Sequence, residues 1–193
     1  MGIARLVIFA SGNGSNFEAI VQAINEGRLN ATIVGLICDQ PNAYCLVRAK
    51  KHAIDTYVVE RKSFKDKTEM DKAILNQCIA WQADWLILAG YMRLITEEIL
   101  RSYPRHILNI HPSLLPKYRG KDALGQALAA NETTLGVSIH YVDEGMDTGE
   151  IIAQFPFTIR GGEPRSQIEE KLHQLEHRVY PEVIQQTIQE ERK

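Results

Sequence analysis

The sequence lacks the features that would place a protein in a membrane, outside the cell or on nucleic acid. No apolar run is long enough to cross a bilayer, and the apolar start of the chain is too short for a signal peptide. Its three cysteines, Cys38, Cys45 and Cys78, contain no C-x-x-C pair and cannot all be bridged. Neither sign of charge dominates, because 22 Lys and Arg face 24 Asp and Glu, a net charge of −2. We therefore expect a cytoplasmic protein that binds neither membranes nor nucleic acid.

The composition that remains is that of an ordinary globular protein. Of the 193 residues, 45% are hydrophobic and 24% are charged, which excludes collagen-like, coiled-coil and disordered chains. No repeat or low-complexity segment interrupts the chain. A chain of this length buries roughly 70% of the surface that its unfolded form exposes. We therefore expect residues 1–193 to form a single domain.

Short apolar runs alternate with segments of helical periodicity. Five runs have the character of buried strands: residues 5–10, 32–37, 56–59, 85–89 and 107–110. Strands that are apolar throughout indicate a parallel sheet covered on both faces. The pattern also predicts a helix over 63–81, partly antiparallel strands near 137–142 and 151–157, and a final helix from 168 that breaks or kinks near Pro181. The predicted fold class is α/β and Rossmann-like, with a mostly parallel central sheet, helices on both faces and an antiparallel extension near the C-terminus.

A glycine-rich loop, Ser-Gly-Asn-Gly-Ser-Asn at 11–16, joins the first strand to the first helix. Free backbone N–H groups and the helix dipole favour an anion at such a position, and glycines let it approach closely. The loop does not fit the dinucleotide fingerprint, because Phe17 takes the place of the third glycine, and it lacks the Gly-Lys-Ser/Thr ending of Walker A. The pattern favours a cradle for one phosphate, with a serine-capped tight turn as the alternative.

A second polar group interrupts the strand near 107–110. Asn109 and His111 alternate along it and therefore point to the same side, at the carboxyl end where open α/β sheets bind ligands. Polar side chains in an apolar run are costly unless they have partners. The alternative is an Asn and a His satisfied by backbone groups. A carboxylate from the acidic loop 143–150 could orient and charge His111.

One further pattern lies in the final helix. The segment 173–177, His-Gln-Leu-Glu-His, fits the H-x-x-E-H arrangement of some zinc proteases. No third ligand is marked, and short patterns of this kind recur by chance. We favour a polar helix face and predict no metal site.

Four segments, 11–16, 89–93, 109–116 and 143–149, together resemble the phosphoribosylglycinamide formyltransferase family of purine biosynthesis. The most specific piece is Asn-x-His-Pro-Ser-Leu-Leu-Pro with the downstream Asp147, a combination typical of the wider group of enzymes that use formyltetrahydrofolate. The resemblance implies transfer of the formyl group of 10-formyltetrahydrofolate to the amine of 5-phosphoribosylglycinamide (GAR), giving formyl-GAR and tetrahydrofolate in the synthesis of IMP. Both ligands are small molecules, and the resemblance leaves open a monomer or a homodimer.

The resemblance also implies roles for individual residues. The catalytic positions match Asn109, His111 and Asp147. The GAR-binding positions match Gly14, Ser15, Asn16 and Glu176. The folate-binding positions match Lys67, Met92, Arg93, Leu94, Ile95, Val142, Asp143 and Asp147. The chain departs from relatives at Arg119, Lys121, Asp122 and His173.

The implied mechanism is direct attack of the substrate amine on the formyl carbon. Asn109 and a protonated His111 would stabilise the oxyanion, and Asp147 would support His111. The alternatives are a hydrolase or a transferase to another acceptor within the same superfamily, or a phosphate-binding module without catalysis. We expect the related tRNA formyltransferase and the hydrolase to need further domains for which 193 residues leave no room.

Overall fold

A computed structural model describes residues 2–191, which form seven strands and six helices. The strands are β1 (Ala4–Ala10), β2 (Ala31–Cys38), β3 (Thr56–Val58), β4 (Trp85–Leu88), β5 (Ile107–His111), β6 (Thr134–Tyr141) and β7 (Ile151–Thr158). The helices are α1 (Ser15–Asn25), α2 (Tyr44–Lys51), α3 (Lys67–Ala80), α4 (Glu97–Ser102), α5 (Ala123–Ala129) and α6 (Arg165–Glu190), with a 3-10 turn at Arg61–Ser63.

The strands form one sheet in the order β3-β2-β1-β4-β5-β6-β7. The first five strands in sequence pair in parallel, whereas β6 and β7 are both antiparallel to their neighbours. The strand order reverses direction between β1 and β4, which is where open α/β sheets bind ligands. The predicted fold class is confirmed, including the antiparallel extension.

Apolar side chains project from both faces of the parallel part of the sheet. On β1, Leu6 and Ile8 pack into one core cluster and Val7 and Phe9 into the other, so the strand alternates between two cores. The first cluster includes much of α1 and α6, and the second includes the inner face of α3. This double burial explains why the strands of the parallel half are apolar throughout.

Two predictions about helices are corrected. The predicted helix over 63–81 begins only at Lys67, because the Asp66 carboxylate accepts the Glu69 N–H at 2.9 Å and caps the first turn. The last helix does not break near Pro181, since α6 continues as one helix of 26 residues through it. Within residues 2–191, no helix combines the length and apolar character needed to cross a membrane.

Candidate active site

The glycine-rich loop after β1 packs against α2. Gly14 has φ 74°, and a side chain there would lie 2.6 Å from Cys45 Cβ, so both conformation and space require glycine. The Arg48 guanidinium clamps the loop, because its Nε donates to the Asn13 carbonyl at 2.9 Å and its Nη2 donates to Asn13 Oδ1 at 3.0 Å. The sequence alone did not identify Arg48, since nothing in its spacing links it to the loop.

The loop leads directly into α1, whose first residue is Ser15. Gly14 precedes the helix in the left-handed conformation, and no side chain caps the helix in the structure as described. The serine-capped turn that the sequence offered as an alternative is therefore not what forms. The backbone N–H groups of the first turn stay available for an anion, and residues 12–16 line the large cavity described below.

Strand β5 brings Asn109 and His111 to the same end of the sheet. His111 is almost fully buried, and its Nε2 donates to the Tyr118 carbonyl at 2.8 Å. Its Nδ1 lies 3.4 Å from Asp147 Oδ2. Each ring nitrogen thus faces an acceptor, an arrangement that only an imidazolium, protonated on both nitrogens, satisfies fully.

Asp147, in the loop between β6 and β7, contacts the polar groups of this cluster. Its Oδ2 accepts the Gly120 N–H at 2.9 Å, and its Oδ1 lies 3.3 Å from Asn109 Nδ2. Burial raises the pKa of Asp147, but hydrogen bonds, among them the one from the Gly120 N–H, and the nearby His111 ring outweigh burial and hold the pKa below its ordinary value. The carboxylate is therefore ionised near neutral pH.

His140, which the sequence did not assign to the site, lies directly opposite Asn109 on β6. It is 2% exposed, and its Nε2 lies 3.1 Å from Asn109 Nδ2. The alternation of β6 places it on the face of the sheet that carries Asn109. Strand pairing between β5 and β6 was the missing information, because the two residues are 31 positions apart.

Glu176 reaches the same cavity from α6. Glu176 is buried, and its Oε2 accepts a hydrogen bond from Asn16 Nδ2 at 3.0 Å. Burial raises the pKa of Glu176, and the Asn16 amide and the nearby His173 only partly oppose that rise. A buried carboxyl group short of donors is suited to hydroxyl groups of a ligand.

The His-Gln-Leu-Glu-His segment has no metal-binding geometry in the described chain. The rings of His173 and His177 stack with their centroids 6.2 Å apart. No set of three His, Cys, Asp or Glu side chains among residues 2–191 is placed to hold an ion. His173 and Glu176 both line the cavity.

The opposite side of the cavity is apolar and open. Met92, Leu94 and Met146 are 65%, 48% and 50% exposed, a concentration of large apolar side chains that soluble proteins normally hide. Arg93 anchors this segment, because its Nε donates to the buried Asp39 carboxylate at 2.8 Å. Such a surface fits a flat, largely apolar ligand.

One cavity of about 720 Å³ collects almost all the predicted site residues. Those that line it are Gly14, Ser15, Asn16, Met92, Arg93, Leu94, Ile95, Asn109, His111, Val142, Asp143, Asp147 and Glu176. Lys67 is the exception, since it lines a neighbouring cavity of about 290 Å³ that shares Arg93, Leu94 and Ile95 with the large one.

Three of the positions at which the chain departs from relatives shape the loop before α5. Lys121 and Asp122 line the cavity, and the Asp122 carboxylate accepts the Gly125 N–H at 3.2 Å to cap α5. Asp122 also pairs with Arg165 of α6 at 2.7 Å. The Arg119 carbonyl accepts a hydrogen bond from Gln126 Nε2 at 3.3 Å. These contacts join the loop that carries Gly120 to the last helix.

Known proteins are similar to this chain in both sequence and fold. The family model described as formyl transferase matches residues 4–184. Phosphoribosylglycinamide formyltransferase of Bacillus subtilis (strain 168) is 45% identical over 184 residues, which cover 95% of this chain and 94% of that protein. The crystal structure of glycinamide ribonucleotide transformylase 1 from Geobacillus kaustophilus has a TM-score of 0.93 at 46% identity, covering 96% of this chain and 98% of that one. The Bacillus halodurans phosphoribosylglycinamide formyltransferase structure has a TM-score of 0.92 at 42% identity, with 94% of each chain covered.

Proposed function

The chain belongs to the formyl transferase family, and from that premise we propose that it transfers the formyl group of 10-formyltetrahydrofolate to the amine of GAR. The products are formyl-GAR and tetrahydrofolate. The relatives that carry this name match nearly the whole of this chain, which supports GAR as the acceptor.

The observation that carries the proposal is that three chemistries share one cavity. Free N–H groups of the first turn of α1 suit the phosphate of GAR, and Glu176 suits its ribose hydroxyls. The exposed apolar side chains of Met92 and Leu94 suit the pterin ring of the folate. A phosphate site alone would not need the second surface, nor the polar cluster around Asp147.

The reaction requires no covalent intermediate with the protein, because GAR supplies its own nucleophile. The amine nitrogen, uncharged, forms a bond to the formyl carbon, and the carbonyl oxygen takes up the negative charge. Collapse of this tetrahedral species breaks the bond between the formyl carbon and N10 of the folate. The amine loses a proton and N10 gains one, through a bound water next to Asp147.

In this proposal, the oxyanion is stabilised from β5. One N–H of Asn109 Nδ2 faces Asp147 Oδ1 at 3.3 Å, a long contact that the formyl oxygen can replace. The His111 ring acts through its positive charge, since its Nε2–H is already held by the Tyr118 carbonyl. The Asp147 carboxylate faces His111 Nδ1 from 3.4 Å away and complements a positive charge on the ring. Direct donation by His111 would require the Tyr118 carbonyl to move.

The proposal is tested by following absorbance as formylfolate becomes tetrahydrofolate, with and without GAR. We expect turnover only when GAR is present. Turnover without GAR would indicate a hydrolase, and no turnover under either condition would indicate a binding module; either result contradicts the proposal.

We further propose that the whole chain is one formyltransferase domain that works in the cytoplasm. All three cysteines are buried and free, which suits a reducing compartment. The small ligands proposed here need neither a membrane nor a nucleic acid as partner.

A further inference from the structure

His140 is bound on both ring nitrogens, and the two partners differ in kind. Its Nδ1 lies 2.7 Å from the backbone carbonyl of Tyr141, and its Nε2 lies 3.1 Å from the side-chain nitrogen of Asn109. A carbonyl oxygen can only accept, so Nδ1 must carry a proton. The Asp147 Oδ1 atom also faces Nε2, but at 3.6 Å it lies beyond hydrogen-bond distance. The amide NH2 group of Asn109 is the nearer partner and can only donate, so Nε2 is the unprotonated nitrogen of a neutral ring.

The orientation of the Asn109 amide follows from the same contacts. One terminal atom of the Asn109 side chain, placed as Nδ2, lies between His140 Nε2 at 3.1 Å and Asp147 Oδ1 at 3.3 Å. The Asp147 carboxylate oxygen can only accept, so the Asn109 atom that faces it must be the amide nitrogen, and this fixes the orientation independently of His140. The reversed amide would set its oxygen against a carboxylate and a lone pair.

The backbone around His140 is built to hold this tautomer. The pairing of β6 with β7 is interrupted between Ile139 and His140, an irregularity of the kind that re-aims side chains beside active sites. Gly149 passes so close to the Tyr141 carbonyl that a Cβ at that position would lie 1.8 Å from its oxygen. A glycine is therefore required for the carbonyl to occupy the place where it accepts from His140.

We propose that His140 is a positioning residue for formyl transfer. Its proton-free Nε2 holds one N–H of Asn109, which directs the other N–H of the same nitrogen toward Asp147 and the cavity. This inference rests on the proposed function, because the second N–H is the one assigned to the oxyanion. His140 touches neither substrate in this scheme and acts only through Asn109.

Two substitutions of His140 distinguish its role as a hydrogen-bond acceptor from its role in packing. His140→Gln keeps an acceptor at the end of a side chain of similar reach, whereas His140→Phe keeps a ring without one. We expect His140→Phe to lower kcat by roughly 10- to 100-fold, because complete removal of one oxyanion donor costs about 10²- to 10³-fold and a misdirected donor loses part of that. The KM for both substrates should change by less than about threefold, and His140→Gln should recover most of the kcat. Thermal melting of both variants checks that they fold.

An unchanged kcat in His140→Phe would overturn the proposal, as would equal losses in two folded variants. A second measurement does not depend on turnover. Nitrogen NMR of the histidine-labelled wild-type protein should show the His140 signal, assigned by its loss in His140→Gln, with Nδ1 protonated and Nε2 bare. A protonated Nε2 would overturn the proposal even in an active enzyme. If the wild-type protein transfers no formyl group, the proposed function fails, while the tautomer remains a separate result.

Discussion

Asp147→Asn is the substitution that should reveal most about the polar cluster. The side chain keeps its size, and one of its two outer atoms can still accept the Gly120 N–H. What it loses is the negative charge 3.4 Å from His111 Nδ1. The change therefore tests whether that charge supports the electrostatic role given to His111.

The size of the effect follows from the distance. Two unit charges 3.4 Å apart attract by about 5 kcal/mol at an effective dielectric constant of about 20. Each 1.36 kcal/mol corresponds to about tenfold in rate. Because the cavity opens to solvent, part of this energy is screened, and we expect kcat to fall by about 10³-fold near neutral pH.

The assay is the absorbance change of formylfolate with saturating GAR. Glu150→Gln is the matched control, because it removes one negative charge at the end of the same loop from an exposed side chain paired with Arg105. It should remain within about twofold of the wild-type rate. A kcat within tenfold of wild type for Asp147→Asn would refute the electrostatic role given to Asp147.

Three other substitutions have defined outcomes. His111→Ala should bind both ligands by calorimetry yet lose most turnover, and a near-normal kcat would reject its catalytic role. Glu176→Gln should raise stability at neutral pH by about 1–3 kcal/mol and raise the KM for GAR. Because burial raises the pKa of Glu176 in the folded protein, the wild-type protein should lose stability relative to the variant as the pH rises above the ordinary pKa of a glutamate and through the raised one. A stability difference between the two proteins that does not change with pH would contradict this. Gly14→Ala should weaken GAR binding and lower the melting temperature, because the added Cβ would clash with Cys45 and the backbone φ of 74° is unfavourable for alanine. Gly2→Ala is the control and should change neither property, because no atom lies within 4 Å of the position of its Cβ.

The fold was largely predictable because short apolar runs, typical of strands buried on both faces, recur along the chain. Strands buried on both faces are apolar throughout, and β1 and β4 show this directly in the sequence. The family suggested by the motifs is confirmed, and so is the antiparallel extension. The behaviour of Pro181 was not predictable, because its rigid ring disfavours a helix interior while burial within α6 overrides that preference.

The site was predictable only where its residues are close in sequence or match a motif. Asn109 and His111 share one strand, so alternation alone places them together. His140 and Arg48 escaped notice because their contacts depend on strand pairing and on helix packing across 31 and 35 positions. The Tyr118 carbonyl accepts the hydrogen bond from His111 Nε2. Because it is a backbone group, the residue pattern could not predict this contact.

The most direct test of the central claim follows the transferred carbon itself. Folate labelled with carbon-13 in its formyl group is mixed with GAR and the protein, and the product is observed by NMR. The account predicts that the label appears as an amide carbon bonded to the former amine nitrogen of GAR, in equal amount to the tetrahydrofolate formed. Label that appears as free formate, or that stays on the folate, would contradict it.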